Sequence, residues 1–508
     1  MHLLSAPTNS EWIYFFSILL GLGSFVVAAE LIRKALRWSP EVTRKLVHIA
    51  TGVLIYFAPE VFSSGIPAIL LAAVFIVVNY AAIRFGLLKG MHGTNRRSYG
   101  TVFYPLSFLI LVLLFWESMP QIISISILVL ALSDAAAAIV GENLKATHTF
   151  FLTSDKKSVE GSLAMFVITF AVIELFLATS SHLNFNLILN LNLNPTLSLI
   201  LISLAVSLFA TVWEAISSKG LDNLAIPLSV AFVLHYFLVP MAHHDAGQFL
   251  LGIVFASAVA IVSYRFRLLT LSGSAATFLL ATIVFGVGGW QWGIPILTFF
   301  LLSSFLSKYG KARKSQFQLM FDKSDRRDAG QVAANGGVAG IVVLCWYFFP
   351  GKHIWFPMYL ATLAAVTADT WGTEIGLFSR GLPRSITTLK QAEKGTSGAI
   401  SLAGIIGGAV GGVFIALSGM LWPSGLRSVA DAAVIVLAGV LASLVDSLVG
   451  ATLQAQYRCM KCGKRTERVL HCGEQTTLIS GLVWLNNDVV NWCCAASGAV
   501  VYLLYSIV

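Results

Sequence analysis

The sequence predicts an all-α, polytopic integral membrane protein of about sixteen transmembrane helices, arranged as two tandem parallel repeats of about eight. Three observations predict it. Of 508 residues, 57% are hydrophobic and 11% charged, where a soluble domain carries about 25% charge. Membrane-length apolar runs alternate with short polar loops throughout. One set of polar motifs also occurs twice, in the same order. The net charge of +9 therefore bears on orientation in a bilayer rather than on nucleic acid.

The apolar runs lie near 12–32, 46–58, 66–83, 100–116, 121–140, 160–180, 196–216 and 224–241. A second set lies near 247–264, 271–286, 292–307, 333–349, 355–376, 397–419, 431–453 and 483–507. Nothing basic precedes the first run and no small-residue cleavage pattern follows it, so it reads as a span rather than a signal peptide. On this map every Lys and Arg except Lys352 and Arg427 falls on one side. The positive-inside rule makes that side cytoplasmic and puts both termini outside. The expected home is the plasma or photosynthetic membrane of a prokaryote. The Asn/Leu-rich stretch 181–197 reads as an outer spacer. His243, His244 and Asp245 mark the joint between domains 1–242 and 247–508.

Chemistry concentrates between Ser133 and Gly161. There an apolar run ends in Asp134, four alanines follow, and Lys156, Lys157 and Ser158 precede Glu160 and Gly161. A carboxylate inside a membrane-length run is costly and points to function. Lysines at a helix start, where free N–H groups project, suit phosphate. The second half repeats the spacings. Asp369 and Gly376 echo Asp134 and Gly141, and Lys394 and Gly398 echo Lys157 and Gly161. Arg326-Arg327 echoes Arg96-Arg97, Asp446 echoes Glu214, and Asn486-Asn487-Asp488 echoes Asp222-Asn223.

These residue types fit phosphoryl transfer, which needs metal ions on the donor phosphates, cations on the equatorial oxygens and a group orienting the attacking hydroxyl. Asp134, Glu214, Asp369 and Asp446 are the expected catalytic carboxylates. Asp134, Asp222 and Asn223 in one half, and Asp369, Glu374, Asp446, Asn487 and Asp488 in the other, are the expected Mg²⁺ ligands, since hard oxygen donors suit that ion. Phosphate is assigned to Arg96, Arg97, Lys156, Lys157, Ser158 and Gly161, then to Arg326, Arg327, Arg384 and Lys394 with the adjoining Gly395, Thr396 and Ser397. No Walker A loop and no kinase Gly-rich loop occurs.

The stretches Arg44 to His48, Ser133 to Gly161, Ala210 to Glu214 and Asp222 to Pro227 resemble the phytol kinase and polyprenol kinase family, itself distantly similar to CDP-diacylglycerol synthases. The resemblance covers about residues 40–240 and implies a kinase of a membrane prenol that uses a nucleoside triphosphate, typically CTP. In that frame His48 assists the prenol hydroxyl. The second half resembles the phytyl-phosphate kinase family in RRDAGQVAANGG (Arg326–Gly337), ADTWGTEIG (Ala368–Gly376), GTSGAIS (Gly395–Ser401), DSLVGATLQAQ (Asp446–Gln456) and WLNNDVVN (Trp484–Asn491). Together the resemblances imply consecutive steps, phytol to phytyl phosphate and on to phytyl diphosphate, a prenyl donor for tocopherol synthesis. Alternatives are a kinase or cytidylyltransferase for another polyprenol or lipid phosphate, and a lipid transporter. Clustering of polar groups at span ends, rather than mid-membrane, favours an enzyme.

One loop departs from the repeat. Cys459-x2-Cys462 followed by His471-Cys472 is a Cys₃His set of the structural zinc type. Cys493 and Cys494 read as packing residues.

Overall fold

The computed structural model describes residues 2–86, 98–144, 147–180, 194–239, 241, 245–309, 326–422, 425–426 and 428–507. Arg96, Arg97, Lys145, His243, His244 and most of the spacer 181–197 lie outside them. The chain divides into two compact units, Met1–Gly247 and Gln248–Val508.

Unit 1 contains α1 (Asn9–Leu36), α2 (Pro40–Tyr56), α3 (Ala58–Val61), α4 (Gly65–Phe85), α5 (Gly100–Phe115) and α6 (Pro120–Val129). A π-turn (Leu130–Asp134) joins α6 to α7 (Ala135–Asn143). The hairpin β1 (Thr149–Phe151) and β2 (Lys156–Ser158) leads into α8 (Val159–Thr179), α9 (Pro195–Ile216) and α10 (Asp222–Leu238). Helix starts follow sequence cues. Thr8 and Glu11 form a capping box on α1, and Ser39 caps α2 with Pro40 in its first turn. The Ser158 hydroxyl accepts the Gly161 N–H at 3.1 Å and caps α8.

Unit 2 contains α11 (Ala246–Arg265, whose first residues belong to the joint), α12 (Leu271–Tyr309), α13 (Ala329–Phe348), α14 (Trp355–Phe378), α15 (Leu402–Gly419), α16 (Val429–Thr452) and α17 (Asn487–Ile507). Short strands β3 (Arg384–Ser385) and β4 (Ala399–Ile400) pair before α15. Between α16 and α17 lie β5 (Gln456–Arg458), β6 (Arg465–Thr466), β7 (Leu470–His471), β8 (Glu474–Gln475) and β9 (Thr477–Ser480), in the sheets β6-β5-β9 and β7-β8. Capping boxes start α13 (Asp328 with Gln331) and α16 (Ser428 with Asp431). Helix α14 is the centre of this unit, packed against α15, α16 and α17.

Among the described residues, 11 helices are long and apolar enough to cross a membrane. The expected spans 271–286 and 292–307 are the two helical segments of α12, separated by a kink at Gly289, whose φ of 62° is non-helical and suits glycine. Three others, α2, α5 and α10, are 17, 16 and 17 residues long, short for a 30 Å core of about 20 residues. The span expected at 355–376 is α14, which is long but carries Asp369, Thr370, Thr373 and Glu374 in its second half. Helix α10 and the first half of α14, Phe356 to Ala368, are nearly continuously buried. Their apolarity serves the interior of a bundle, which a hydropathy reading cannot tell from a lipid-facing span.

The repeat has a structural seam inside each unit. A Cβ on Gly161 would come 2.8 Å from the Ala137 carbonyl oxygen, and one on Gly141 would come 2.7 Å from Ser158 Oγ. In unit 2 a Cβ on Gly404 would come 2.7 Å from the Gly372 carbonyl oxygen, and one on Gly376 would come 3.1 Å from Ser401 Oγ. Ser401 caps α15 by accepting the Gly404 N–H at 3.1 Å, as Ser158 caps α8. The D-x6-G spacing therefore marks the same helix pair in both units. The K-x3-G spacing does not. By position in the seam, Gly161 corresponds to Gly404 rather than to Gly398. Gly398 instead sits at φ +78° against Ser447 and Ala451 of α16.

Candidate functional site

In unit 1 the π-turn places Asp134 at its end, where the helix winding widens; such turns recur at functional positions. Among the described residues no hydrogen bond reaches the Asp134 carboxylate, and it lines a cavity of about 290 Å³. The charges facing it belong to Asp222, Lys157, Glu214 and Arg44. Lys157 Nζ lies 2.6 Å from Glu214 Oε1 and 3.7 Å from Asp222 Oδ2. Ser162 donates to Glu214 Oε2 at 3.1 Å, and Asn223 donates its backbone and side-chain N–H groups to Asp222 Oδ1 at 3.0 Å each. Burial pulls the Lys157 ammonium down, but Glu214, Asp222 and Asp134 together hold it above the ordinary lysine value.

Local sequence explains this convergence. Side chains alternate along a strand, so β2 turns Lys157 inward and leaves Lys156 exposed. Gly220 takes φ +87° and abuts the backbone of Gly100, which seats the start of α10, and with it Asp222 and Asn223, against the start of α5. Ser158 and Gly161 serve the cap and the helix seam. His48 of α2 donates from Nε2 to the Leu130 carbonyl at 3.3 Å, on the π-turn itself, and its ring meets Tyr104 edge-on at 4.8 Å.

The cavity runs from Asp134, Asn223, Arg44 and His48 between apolar side chains of α1, α4 and α5, among them Val26, Phe75 and Phe108. One end is charged and the rest is greasy.

The cavity of unit 2 is larger, about 660 Å³, and polar. Asp369 of α14 and Asp446 of α16 face each other in it, and Asp446 Oδ2 is buried without a hydrogen-bond partner. Two carboxyl groups in contact repel unless a proton or a cation lies between them, so this pair fits a metal ion. Three further residues named above, Glu374, Lys394 and Asn487, line the same cavity. Glu374 accepts from Ser307 at 2.6 Å, and Lys394 donates to the Ser379 carbonyl. Gly395, Thr396 and Ser397 form one wall, with Ser397 donating to Gln454 at 2.8 Å. Of the arginine pair, Arg327 enters the cavity, its guanidinium 5.7 Å from the ring centres of Phe299 and Phe300. Arg326, Arg384 and Asp488 are not among the lining residues. Arg384 lies exposed on β3.

The carboxylates do not close into a ready metal shell. Among the described residues, the set of three or more acidic, Cys or His ligands that converges, within 4.8 Å, is Cys459, Cys462, His471 and Cys472. That leaves the Mg²⁺ expectation in a particular form, since this ion is commonly held by one or two carboxylates together with substrate phosphates and water. The backbone N–H of Cys462 draws the Cys459 thiol down to about 6.

Residues 254–499, nearly all of unit 2, match the family described as integral membrane protein DUF92. Protein PGR of Arabidopsis thaliana is 32% identical over 270 residues, 48% of this chain and 91% of that protein. The chain belongs to the DUF92 family. The protein named phytol kinase of Synechocystis sp. is 33% identical over 216 residues, 42% of this chain and 86% of that protein. Protein VTE6, chloroplastic, of Arabidopsis thaliana is 25% identical over 240 residues, 46% of this chain and 65% of that protein. No solved structure matches the chain.

In the DUF92 region the cavity also recruits Gln331, Asn335, Asn491, Glu467 and Arg468, which the motif reading passed over. Gln331 with Asn335, and Asn487 with Asn491, are i,i+4 amide pairs on single helix faces, a signal present in the sequence. Arg44 in unit 1 opens a stretch that carries the family resemblance but was given no role at the site. Its approach to Asp134 depends on how α2 packs against the π-turn.

Proposed function

We propose that the chain phosphorylates a membrane prenol in two consecutive steps. Unit 1 converts phytol or a similar prenol to its monophosphate, and unit 2 converts the monophosphate to the diphosphate. A nucleoside triphosphate, CTP by resemblance, is the donor in both. The observation that carries the reading is the cavity of unit 1, an apolar slot ending at Asp134 with charged neighbours. A long-chain alcohol has that division, one polar end on a hydrocarbon tail. The similarity to a protein named phytol kinase supports the same substrate class. The polar cavity of unit 2 suits a reaction in which donor and acceptor both carry phosphate.

In unit 1 the prenol hydroxyl approaches Asp134, which takes its proton as the oxygen attacks the terminal phosphorus of the donor. The bond to the bridging oxygen breaks and the nucleoside diphosphate departs. Lys157 and Arg44 offset the charge gathered by Asp134, Glu214 and Asp222. In unit 2 Arg327 and Lys394 attract the phosphates while Asp369 and Asp446 face the reacting groups. Mg²⁺, when bound by Asp134, Asp222 and Asn223 or by Asp369, Asp446 and Asn487, supplies charge neutralisation on the donor phosphates. The test is to incubate purified protein with labelled phytol and each of CTP, ATP, UTP and GTP. Monophosphate followed by diphosphate is expected, fastest with CTP. No product with any nucleotide overturns the proposal.

A further inference from the structure

We propose that unit 2 holds a structural zinc ion at Cys459, Cys462, His471 and Cys472, and that this ion fixes loop 459–472 as a wall of the polar cavity. The second clause rests on the reading of that cavity as a phosphate-transfer site; the first does not.

The ligand atoms of the four residues already lie within 4.8 Å of one another. A tetrahedral zinc site with Zn–S near 2.3 Å and Zn–N near 2.0 Å puts its ligands roughly 3.5–3.8 Å apart. Here His471 Nδ1 is 3.6 Å from Cys462 Sγ and 3.2 Å from Cys472 Sγ. His471 Nε2 is buried and makes no hydrogen bond, so the imidazole is anchored at the Nδ1 side, where the thiols are.

The backbone gives a second, independent indication. Cys459 N–H donates to the Lys464 carbonyl at 3.0 Å and Gly463 N–H to the Cys459 carbonyl at 2.8 Å, closing a tight knuckle around the first ligand pair. Gly463 and Gly473, each directly after a ligand pair, take φ +71° and +82°. Both have open space at the Cβ position, so glycine is there for its dihedral angle and not for room. Cys472 itself sits at φ +54°. A non-glycine residue persists in that region where its surroundings over-determine it, and a metal bond through its sulfur does so.

Apart from the pairing of its short strands, the loop has little apolar core. Around buried Cys459, Thr466 and His471 stand exposed Met460, Val469 and Leu470. So small a core does not hold itself, whereas zinc binding contributes folding energy directly.

The position of the knuckle gives it a consequence. Glu467 and Arg468 lie between the two ligand pairs and line the cavity, and the charge of Glu467 faces Asp446. Pinning both ends of this short segment holds Arg468 where it can meet a phosphate.

The full-length protein, purified in detergent without chelator, is expected to contain one zinc per chain. Zinc falls to background in Cys459→Ser/Cys462→Ser and is kept in Cys493→Ser, which alters a cysteine outside the set. Cobalt exchanged into the site should give the visible bands of a tetrahedral ion and strong thiolate-to-cobalt absorption. If the double variant fails to fold, wild-type protein stripped with chelator serves instead. Its amide exchange should rise across 456–480 and stay unchanged in α14 and α16. Protein that is folded but free of zinc, or that keeps zinc in the double variant, overturns the site. Arg468→Ala should retain zinc yet raise KM for the phosphorylated prenol about tenfold, with little change in kcat. Unchanged kinetics in both Arg468→Ala and stripped protein overturn the wall role. If wild-type protein carries out no second step, the functional reading fails, while the zinc content still decides the metal site.

Discussion

Asp134 and Asp369 each stand seven residues before a glycine that closes a helix seam, and each faces a cavity of its own unit. If each serves one step, their losses separate. Replacing a charged group at such a site typically lowers the rate by roughly 10² to 10³, about 2.7–4 kcal/mol. Asp134→Asn should stop conversion of phytol yet leave conversion of added phytyl phosphate intact. Asp369→Asn should let phytyl phosphate accumulate. Product chromatography decides it, and loss of both steps from either single substitution, in folded protein, would mean one composite site. The residue types were legible in the sequence because a carboxylate in an apolar run has little structural reason to be there. Their partners were less so. That Lys157 binds Glu214, and Lys156 binds neither acid, depends on strand alternation in a hairpin of three-residue strands, below what periodicity reveals.

The helices were legible from their apolar runs, and their starts from caps such as Thr8 with Glu11. What sequence could not resolve was which runs face lipid, since α10 and α14 are apolar for the sake of the bundle. The misaligned lysine spacing has a similar cause. Unit 2 has a longer connection between α14 and α15, carrying β3, β4 and the Gly395–Gly398 turn, so a lysine four residues before a glycine recurs there without occupying the same place. The seam itself predicts stability. Gly161→Ala and Gly404→Ala each force a methyl group to within 3 Å of a carbonyl oxygen, and overpacking of this kind costs about 1–3 kcal/mol. Gly21→Ala, inside α1 with open space at its Cβ, should leave stability unchanged or raise it by up to about 1 kcal/mol. Thermal unfolding in detergent compares the three, and equal midpoints would refute the seam.

At the scale of the molecule, each unit closes its own core, and two of the three matches quoted above span 91% and 86% of relatives that cover 48% and 42% of this chain. The basic-residue pattern predicts one face for both chemistries. Cysteines introduced at Lys156 and Arg384, both exposed, should react with impermeant reagent from the cytoplasmic side, and one at Lys352 from the other. Opposite labelling of Lys156→Cys and Arg384→Cys would sink the parallel arrangement. The π-turn at Leu130–Asp134 carries one consequence more. Such a turn is an α-helix holding a surplus residue, an insertion that the fold tolerates rather than needs. Deleting Ala131 would let the winding close regularly, keeping the following helix in register while removing the widened turn beside Asp134. The outcome expected is a protein that melts higher and loses the step proposed for unit 1, stability recovered by discarding the irregularity beside the carboxylate.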